Sequence, residues 1–215
     1  MKPHLFTTFL VLCCAPLLAQ APAAAPATQT HSSDIGFTYG VPADWEVVDV
    51  QPSLPVVKQQ QTQAAASEDE KKGIACVQIA LTARHGSPAS VVVVVALPFD
   101  CFGQTMTEKD LPGFASGASE GLKKTFEISD PVYGAYSLGT HSVWVERATG
   151  NMIGHPEVKY TIETVCSVLK KGAVCWMAMA ADDAGLQTFE KGAVTLDGEA
   201  PAALVPADAF QKKPS

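Results

Sequence analysis

The segment PEVKYTIETVCSVLKKGAVCWMAMAA, residues 156–181, decides the fold because it predicts a long antiparallel β-hairpin. Its first half alternates large apolar side chains with polar ones, which is typical of a strand with one buried face. The polar LKKG, residues 169–172, then provides a turn, and AVCWMAMAA runs back. The residues predicted to share one face of the first strand are Val158, Tyr160, Ile162, Cys166 and Val168.

The register of this hairpin depends on the loop. A four-residue loop built around a type I turn, with Gly172 in the left-handed conformation, places Cys166 opposite Cys175. A disulfide between them requires the closer, non-hydrogen-bonded kind of cross-strand pair. The same register puts an apolar set on the cysteine face: Val158, Tyr160, Ile162, Ala173, Met177 and Met179. A three-residue loop with a Gly bulge would instead send the two cysteines to opposite faces.

The remaining segments predict further strands and two helices. A first hairpin joins GIACVQIALTA to SVVVVVALP, whose unbroken β-branched run is expected of a central strand covered on both faces. Apolar residues from Leu111 to Phe126 recur at helical spacing, and DDAGLQTFEKG predicts a short helix. GFTYGVP, PVYGAYSLG and THSVWVERATG predict strands, VTL a last edge strand, and residues 59–70 an exposed loop or a weak helix. The expected fold class is α+β, an antiparallel β-sheet with helices packed on its faces.

The first residues predict export. Lys2 precedes a short apolar run, residues 5–18, and small residues suited to cleavage follow, so residues 1–19 are expected to be a signal peptide. Leu12 before Cys13 argues against a lipid anchor. Without residues 1–19, fourteen basic and twenty-two acidic side chains remain, a net charge of −8. This acidic balance argues against nucleic acid as a partner, and no later segment is long and apolar enough to span a membrane.

Composition divides the rest of the chain. Residues 20–33 are Ala, Pro and Thr with almost no large apolar side chain, and we expect a disordered linker there. Residues 34–198 are long enough for a single domain with its own core. The Ala/Pro-rich residues 199–215 are expected to form a flexible C-terminal tail.

Four cysteines follow the predicted signal: Cys76, Cys101, Cys166 and Cys175. An even number in an exported chain suggests two disulfides, which points to the periplasm or the extracellular space. If Cys166 pairs with Cys175, Cys76 and Cys101 are left to clamp the ends of the first hairpin. The chain has no C-x-x-C motif and therefore no support for a zinc ribbon or a thioredoxin-like redox site.

The order of elements, with GFTYGVPADWEVV at the start and LGTHSVWVER leading into YTIETVCSVLKKGAVCWMAMAADD, resembles the PsbP/Mog1-like superfamily. The likeness covers roughly residues 34–198. It implies an αβα sandwich, with helices on both faces of an antiparallel sheet. Bacterial members are often exported, and characterised members bind partners: a small GTPase in one branch and the photosynthetic oxygen-evolving complex in another. No residue of those interaction surfaces transfers to this chain.

Ser119 is the residue that most suggests catalysis, because GASEG, residues 117–121, matches the G-x-S-x-G pattern of hydrolases. That motif works on a sharp strand-to-helix turn that exposes the serine. Here it lies within a predicted helix, where small residues allow close packing on a sheet. We therefore assign no catalytic residue.

The other polar candidates have structural interpretations. His85 and His155 lie in predicted turns and His141 begins a strand, so no metal-ligand spacing is present, although they could converge with Glu146 or Glu157. Asp182 and Asp183 are expected to cap a helix rather than act as a carboxylate pair. Trp45, Trp144 and Trp176 are expected in the core or covering the sheet. No metal or cofactor is predicted.

These features favour an exported, non-catalytic domain that binds a protein or another component of the cell envelope. The alternatives are a secreted hydrolase whose site forms only in three dimensions, and a carrier of a small ligand or metal. Whether the protein is an enzyme is left open by the sequence.

Overall fold

A computed structural model of the protein describes residues 28–65 and 67–211. The predicted signal peptide, residues 20–27 of the predicted linker and the last four residues lie outside the described ranges. The strands are β1 (Thr28–Ser33), β2 (Phe37–Pro42), β3 (Glu46–Val47), β4 (Gln78–His85), β5 (Ser90–Pro98), β6 (Phe126–Ile128), β7 (Val132–Leu138), β8 (His141–Met152), β9 (His155–Val168), β10 (Gly172–Ala180), β11 (Ala193–Leu196) and β12 (Ala202–Ala203). The helices are α1 (Leu54–Ala64), α2 (Glu68–Cys76), α3 (Phe99–Phe102), α4 (Leu111–Glu120) and α5 (Asp183–Glu190).

Two antiparallel sheets form the described part of the molecule. The large sheet has eight strands in the order β3-β4-β5-β10-β9-β8-β6, with β7 pairing the same side of β8 as β6 does. The small sheet has the order β1-β2-β11-β12. The expected antiparallel sheet with accompanying helices is present, and strands dominate the described structure.

The main core lies between the two sheets. Phe37, Tyr39 and Val41 of β2 pack with Trp176 of β10, whose ring meets that of Phe37 edge-on at 5.4 Å between centroids. α5 contributes Phe189 to this core. The small sheet therefore covers much of the face on which the sequence predicted helices alone.

The opposite face of the large sheet carries α4. Leu111 and Ala115 of this helix pack on Cys166 and Cys175, and Trp144 is half-buried beside them. A second cluster, formed by Phe126, Tyr160 and Ile162, continues the apolar surface along β9. β5 is central as predicted, but Val91, Val93 and Val95 on this face are only half-buried, so the expected cover on both faces is incomplete.

The hairpin of β9 and β10 has the predicted register, with Cys166 opposite Cys175 and Val168 opposite Ala173. The predicted left-handed conformation of Gly172 is wrong, because Gly172 already belongs to β10 and pairs with Pro98. The Leu169 N–H donates to the Gly172 carbonyl at 2.8 Å, which closes the turn over only two lysines. A glycine suits this position because a Cβ would lie 2.8 Å from the Leu97 carbonyl oxygen.

The predicted boundaries of the domain need correction at both ends. Residues 28–33, assigned to a disordered linker, form β1, which pairs with β2 along its whole length. Residues 199–211, assigned to a flexible tail, are anchored by two main-chain hydrogen bonds. Leu204 N–H donates to the Gly192 carbonyl at 3.0 Å, and Val205 N–H donates to the Glu190 main-chain carbonyl at 2.9 Å. Both segments are held by contacts with distant parts of the chain, which local composition does not reveal.

Three smaller differences concern local elements. Of the ambiguous residues 59–70, residues 59–64 belong to α1 and residues 68–70 to α2, and α2 extends into the segment that was predicted to begin a strand at Gly73. The predicted helix of residues 111–126 ends at Glu120, and Phe126 begins β6. β11 is not an edge strand, since it lies between β2 and β12. The Asp182 cap of α5 is as predicted, accepting from the Gly185 N–H at 2.7 Å.

Candidate functional site: a cleft where two sheet edges meet

The chain leaves the large sheet abruptly after β3. Val48 N–H still donates to the Thr82 carbonyl at 2.8 Å. Asp49 then accepts from the Gln51 N–H at 3.0 Å, a side-chain turn that redirects the chain toward α1. As a result, the first residues of β4, from Gln78 to Leu81, have no strand partner on their outer side among the described strands.

A cleft of about 270 Å³ opens where the two segments diverge. The small sheet closes its far side through β1, an edge strand that contributes His31. The Nε2 atom of His31 is buried and has no hydrogen-bond partner. Gln29 Nε2 donates to the Trp45 carbonyl at 3.3 Å and so ties β1 to the large sheet near the cleft. The lining residues are His31, Val47, Val48, Asp49, Val50, Gln51, Ile79, Ala80, Leu81 and Thr82.

The strand geometry is irregular at this cleft. The register between β4 and β5 shifts between Ile79 and Leu81, so Ala80 is the extra residue of a β-bulge. Bulges re-aim side chains and interrupt pairing at sheet edges. Here the bulge lies on the part of β4 that lines the cleft, so the cleft presents main-chain groups beside the side chains of Ile79 and Val50.

A second, more polar cavity of about 310 Å³ lies further along the same β3–β4 edge. Arg84 Nε donates to Glu46 Oε2 at 2.8 Å, and this hydrogen bond, followed by the charge of Arg84, lowers the pKa of Glu46. His85 stacks on Trp45 with 5.8 Å between ring centroids, and its Nδ1 is 3.3 Å from the Asp44 carbonyl oxygen. The polar groups of this cavity are exposed and already engaged with each other.

Ser119 does not occupy a nucleophile position. It lies inside α4, and its hydroxyl donates to the nearly buried carboxylate of Glu146 and lies 3.2 Å from the hydroxyl of Thr164. Both partners come from the sheet face beneath the helix. Ser119 therefore ties α4 to the sheet, as the small-residue interpretation of GASEG requires.

The three predicted histidines have separate partners. His85 stacks on Trp45, and the exposed His155 has its Nδ1 3.2 Å from Glu157 Oε1. His141 Nε2 lies 3.5 Å from Asp197 and 3.7 Å from Glu199, and its Nδ1 is 3.2 Å from the Val168 carbonyl oxygen.

Residues 28–65 and 67–211 contain no cluster of side chains suited to a metal ion. No group of three His, Cys, Asp or Glu side chains there is arranged to hold an ion.

Thr140 also forms hydrogen bonds with Glu199, through its hydroxyl and through its N–H at 3.1 Å. The hydrogen bonds from the Thr140 hydroxyl and main-chain N–H are the main causes that lower the pKa of Glu199, and the charge of His141 is a smaller one.

An ionic network around the buried Glu163 lies on the core face of β8 and β9. Arg147 Nε contacts Glu163, which is fully buried, and Arg147 Nη2 contacts Glu190 of α5, each at 2.5 Å. The ring of Phe210 stacks 4.3 Å from the Arg147 guanidinium carbon. Burial raises the pKa of Glu163 to about 7, against the opposing effect of Arg147. Perturbed carboxyls also mark catalytic sites, but this one is covered by the C-terminal segment and lines neither cavity.

The cysteines form two close pairs, Cys76 with Cys101 and Cys166 with Cys175, with 5.6 and 4.2 Å between their Cα atoms. The first pair joins the end of α2 to α3, and the second joins β9 to β10 beneath α4. Trp45 and Trp176 are buried in the main core as expected. Trp144 faces α4, opposite to Val143 and Val145.

The sequence did not identify the cleft. His31 was assigned to the disordered linker, and the other lining residues come from two segments thirty residues apart. Residues 28–33, TQTHSS, are polar throughout and have no alternation of apolar and polar side chains that would have predicted a strand. In addition, no described helix is of a length and hydrophobicity that would let it cross a bilayer.

Comparison with known proteins returns a structural neighbour. The chain is similar to the solution structure of cyanobacterial PsbP (CyanoP) from Synechocystis sp. PCC 6803, with a TM-score of 0.41 and 14% sequence identity. The similarity covers 79% of this chain and 89% of that chain. No protein-family model and no curated protein matches the sequence. The neighbour is a PsbP protein, the group that the sequence motifs resemble, and a similarity of this size assigns neither a family nor a function.

Proposed function

We propose that this protein is an exported, non-catalytic binding domain that captures an extended segment of another polypeptide at the cleft between β1 and β4. The observation that carries the proposal is the outer edge of β4, which loses its strand partner at Val48 and lines the cleft from Ile79 to Thr82. An extended peptide can add to such an edge through main-chain hydrogen bonds, with pockets for alternate side chains giving specificity.

The size of the cleft supports a peptide side chain over a small-molecule ligand. Pockets that enclose drug-sized ligands measure about 300–1,000 Å³. A volume of about 270 Å³ accommodates one or two side chains of a strand that runs along β4. The apolar side chains of Val50, Ile79 and Leu81 line it beside the His31 ring. We therefore expect a ligand with an apolar residue at the position that enters the cleft.

Export is the second part of the proposal. It is supported by the N-terminal signal pattern and by the two cysteine pairs, because disulfides persist in oxidising compartments.

We also propose that the architecture is a variant of the αβα sandwich. α4 packs on one face of the large sheet, and α5 lies beside the small sheet on the other.

Selection from a displayed library of random peptides tests the proposal, using the chain from Gln20 as bait. The expected result is enrichment of peptides that bind the parent protein and bind the Ile79→Asp variant at least tenfold more weakly. Ile153→Asp is the matched control, because Ile153 is an exposed isoleucine at the turn after β8, away from the cleft. Peptides that bind parent and Ile79→Asp proteins equally would place the site elsewhere. Turnover of a generic ester or peptide substrate, without retained ligand, would favour the hydrolase alternative.

A further inference from the structure

The opposite edge of the large sheet ends in β7, which carries no protection against pairing within its own length, although Pro131 directly precedes it. β7 pairs with β8 and with no other described strand. Its seven residues, VYGAYSL, include no charged residue and no proline. Natural edge strands are usually kept apart by lysines, prolines, bulges or short length. At the other edge of this sheet β3 has only two residues and pairs with β4 beside Arg84 and His85, while Gln78 to Leu81 of β4 have no described strand partner on their outer side at the cleft.

Exposed apolar side chains lie along this edge. Val132 is 58% exposed and Tyr133 is 45% exposed, and they point to opposite faces of the sheet. The Tyr133 ring rests on Trp144, with 5.6 Å between ring centroids, which holds it at the margin of the α4 face. An uncharged apolar strip is unusual on a chain with a net charge of −7. It is a surface that a second acidic copy can approach without charge repulsion.

We propose that β7 pairs with β7 of a second copy, antiparallel and about a two-fold axis at Ala135. An isologous contact requires a self-complementary surface. Ala135 is the central residue, so this axis pairs the strand over its whole length. It sets Val132 opposite Leu138, Tyr133 opposite Ser137 and Gly134 opposite Tyr136. Each pair is either two apolar residues or a large residue facing a small one.

The C-terminal segment packs on the face of β7 and leaves its outer edge without a described strand partner. Gly134 must remain glycine because a Cβ there would overlap the carbonyl oxygen of Ala209, which holds the C-terminal segment on the core face. That segment packs over the face of β7 near Gly134 and Tyr136, where Tyr136 donates to the Leu204 carbonyl at 2.5 Å. The dimer would have one continuous large sheet, with a β1–β4 cleft at each far end.

Sedimentation equilibrium of the chain from Gln20 tests the proposal, because this chain contains every described residue. The parent protein is expected to dimerise reversibly. Val132→Lys is expected to raise the dimer dissociation constant more than tenfold, since lysine on an edge strand opposes pairing. Val56→Lys is the matched control, because Val56 is 57% exposed on α1. A parent protein that stays monomeric at all concentrations overturns the proposal, and so does a dimer that Val132→Lys leaves unchanged.

Cysteine cross-linking tests the register separately. Ala135→Cys places two thiols opposite each other at the axis, and a short bifunctional thiol reagent is expected to link them, since this hydrogen-bonded pair is too wide for a direct disulfide. Ser137→Cys faces Tyr133 of the second copy and is expected to remain monomeric under the same conditions. Cross-linking through Ser137→Cys alone would overturn the register.

Discussion

Arg147 and Glu163 face each other across β8 and β9 in the core, and the C-terminal segment covers the pair through Phe210. Glu163 Oε1 is buried without a hydrogen-bond partner, while the other carboxylate oxygen contacts the guanidinium. The charged form of Glu163 is therefore only partly compensated, and its titration affects the free energy of unfolding.

This pair predicts a pH-dependent stability. Burial raises the pKa of Glu163 from 4.5 to about 7, so the folded protein holds a proton that the unfolded chain releases in that interval. Its contribution to stability is therefore fully present below pH 4.5 and is lost as the pH rises to 7, a difference of about 3 kcal/mol. Urea unfolding of Glu163→Gln at pH 5 and pH 7.5 should show a pH dependence reduced by about that amount. Glu127→Gln, an exposed control on β6, should retain the parent dependence.

Ser119→Ala is predicted to affect stability and not catalysis. Loss of the hydroxyl leaves the nearly buried Glu146 without that donor, which costs about 1–3 kcal/mol in the free energy of unfolding. Ser116→Ala, on the exposed side of α4, should change stability by less than about 0.5 kcal/mol. Equal effects of the two substitutions in chemical denaturation would show that Ser119 does not tie the helix to the sheet.

The C-terminal segment is predicted to be part of the core. Leu204 is fully buried and packs in the main core, so Leu204→Ala should cost about 2–5 kcal/mol. A chain ended after Gly198 should be less stable still, because it also loses Val205 and Phe210. A chain ended after Gln211 retains every contact described here and serves as the control. Equal Tm values for the chains ended after Gly198 and after Gln211 would support the expectation of a flexible C-terminal tail.

Removal of β1 is predicted to weaken the protein, contrary to the expectation from composition. A chain that starts at Asp34 loses the strand paired to β2 and should lose about 1–3 kcal/mol, after the entropy of ordering offsets part of the hydrogen bonding. Each kcal/mol lowers Tm by roughly 2–4 °C in a chain of this size. A chain that starts at Thr28 should have the same Tm as the chain that starts at Gln20. Identical Tm values for the two truncations would mean that residues 28–33 contribute nothing.

Non-reducing peptide mapping should recover Cys76 linked to Cys101 and Cys166 linked to Cys175. The two closures span 25 and 9 residues, so removing the first should cost about 3–4 kcal/mol and the second about 2–3 kcal/mol. Unfolding of the Cys→Ala double variants measures this order. A peptide that joins Cys101 to Cys166 would contradict the pairing, and free thiols at all four positions would also remove the support for an oxidising compartment.

The sequence predicted best where neighbours along the chain determine the structure. The register of β9 and β10 follows from alternation around a short turn, and α5 follows from the Asp182 cap. β1 was missed because TQTHSS has no large apolar side chain, and its partner β2 supplies the reason for its strand conformation. The burial of Leu204 depends likewise on Tyr136 and Gly192, which are distant in sequence.

The candidate site could not be predicted because it arises from a divergence of strands. Neither Val48 nor Thr82 belongs to a recognisable motif, and the cleft exists because β3 ends where β4 continues. Ser119, by contrast, belongs to a motif whose geometry is absent, since a helix surrounds it. A hydrolase-like motif is thus found in the local sequence, whereas the cleft is found only in the three-dimensional structure.

The small sheet also constrains when the molecule can fold. Thr38 of β2 contacts Thr195 of β11 across 157 residues of sequence, and β12 follows later still. β2 therefore gains its second partner, β11, only after nearly the whole chain has been synthesised, and closing so long a loop slows folding. The small sheet is therefore the part of the fold that a nascent chain completes last.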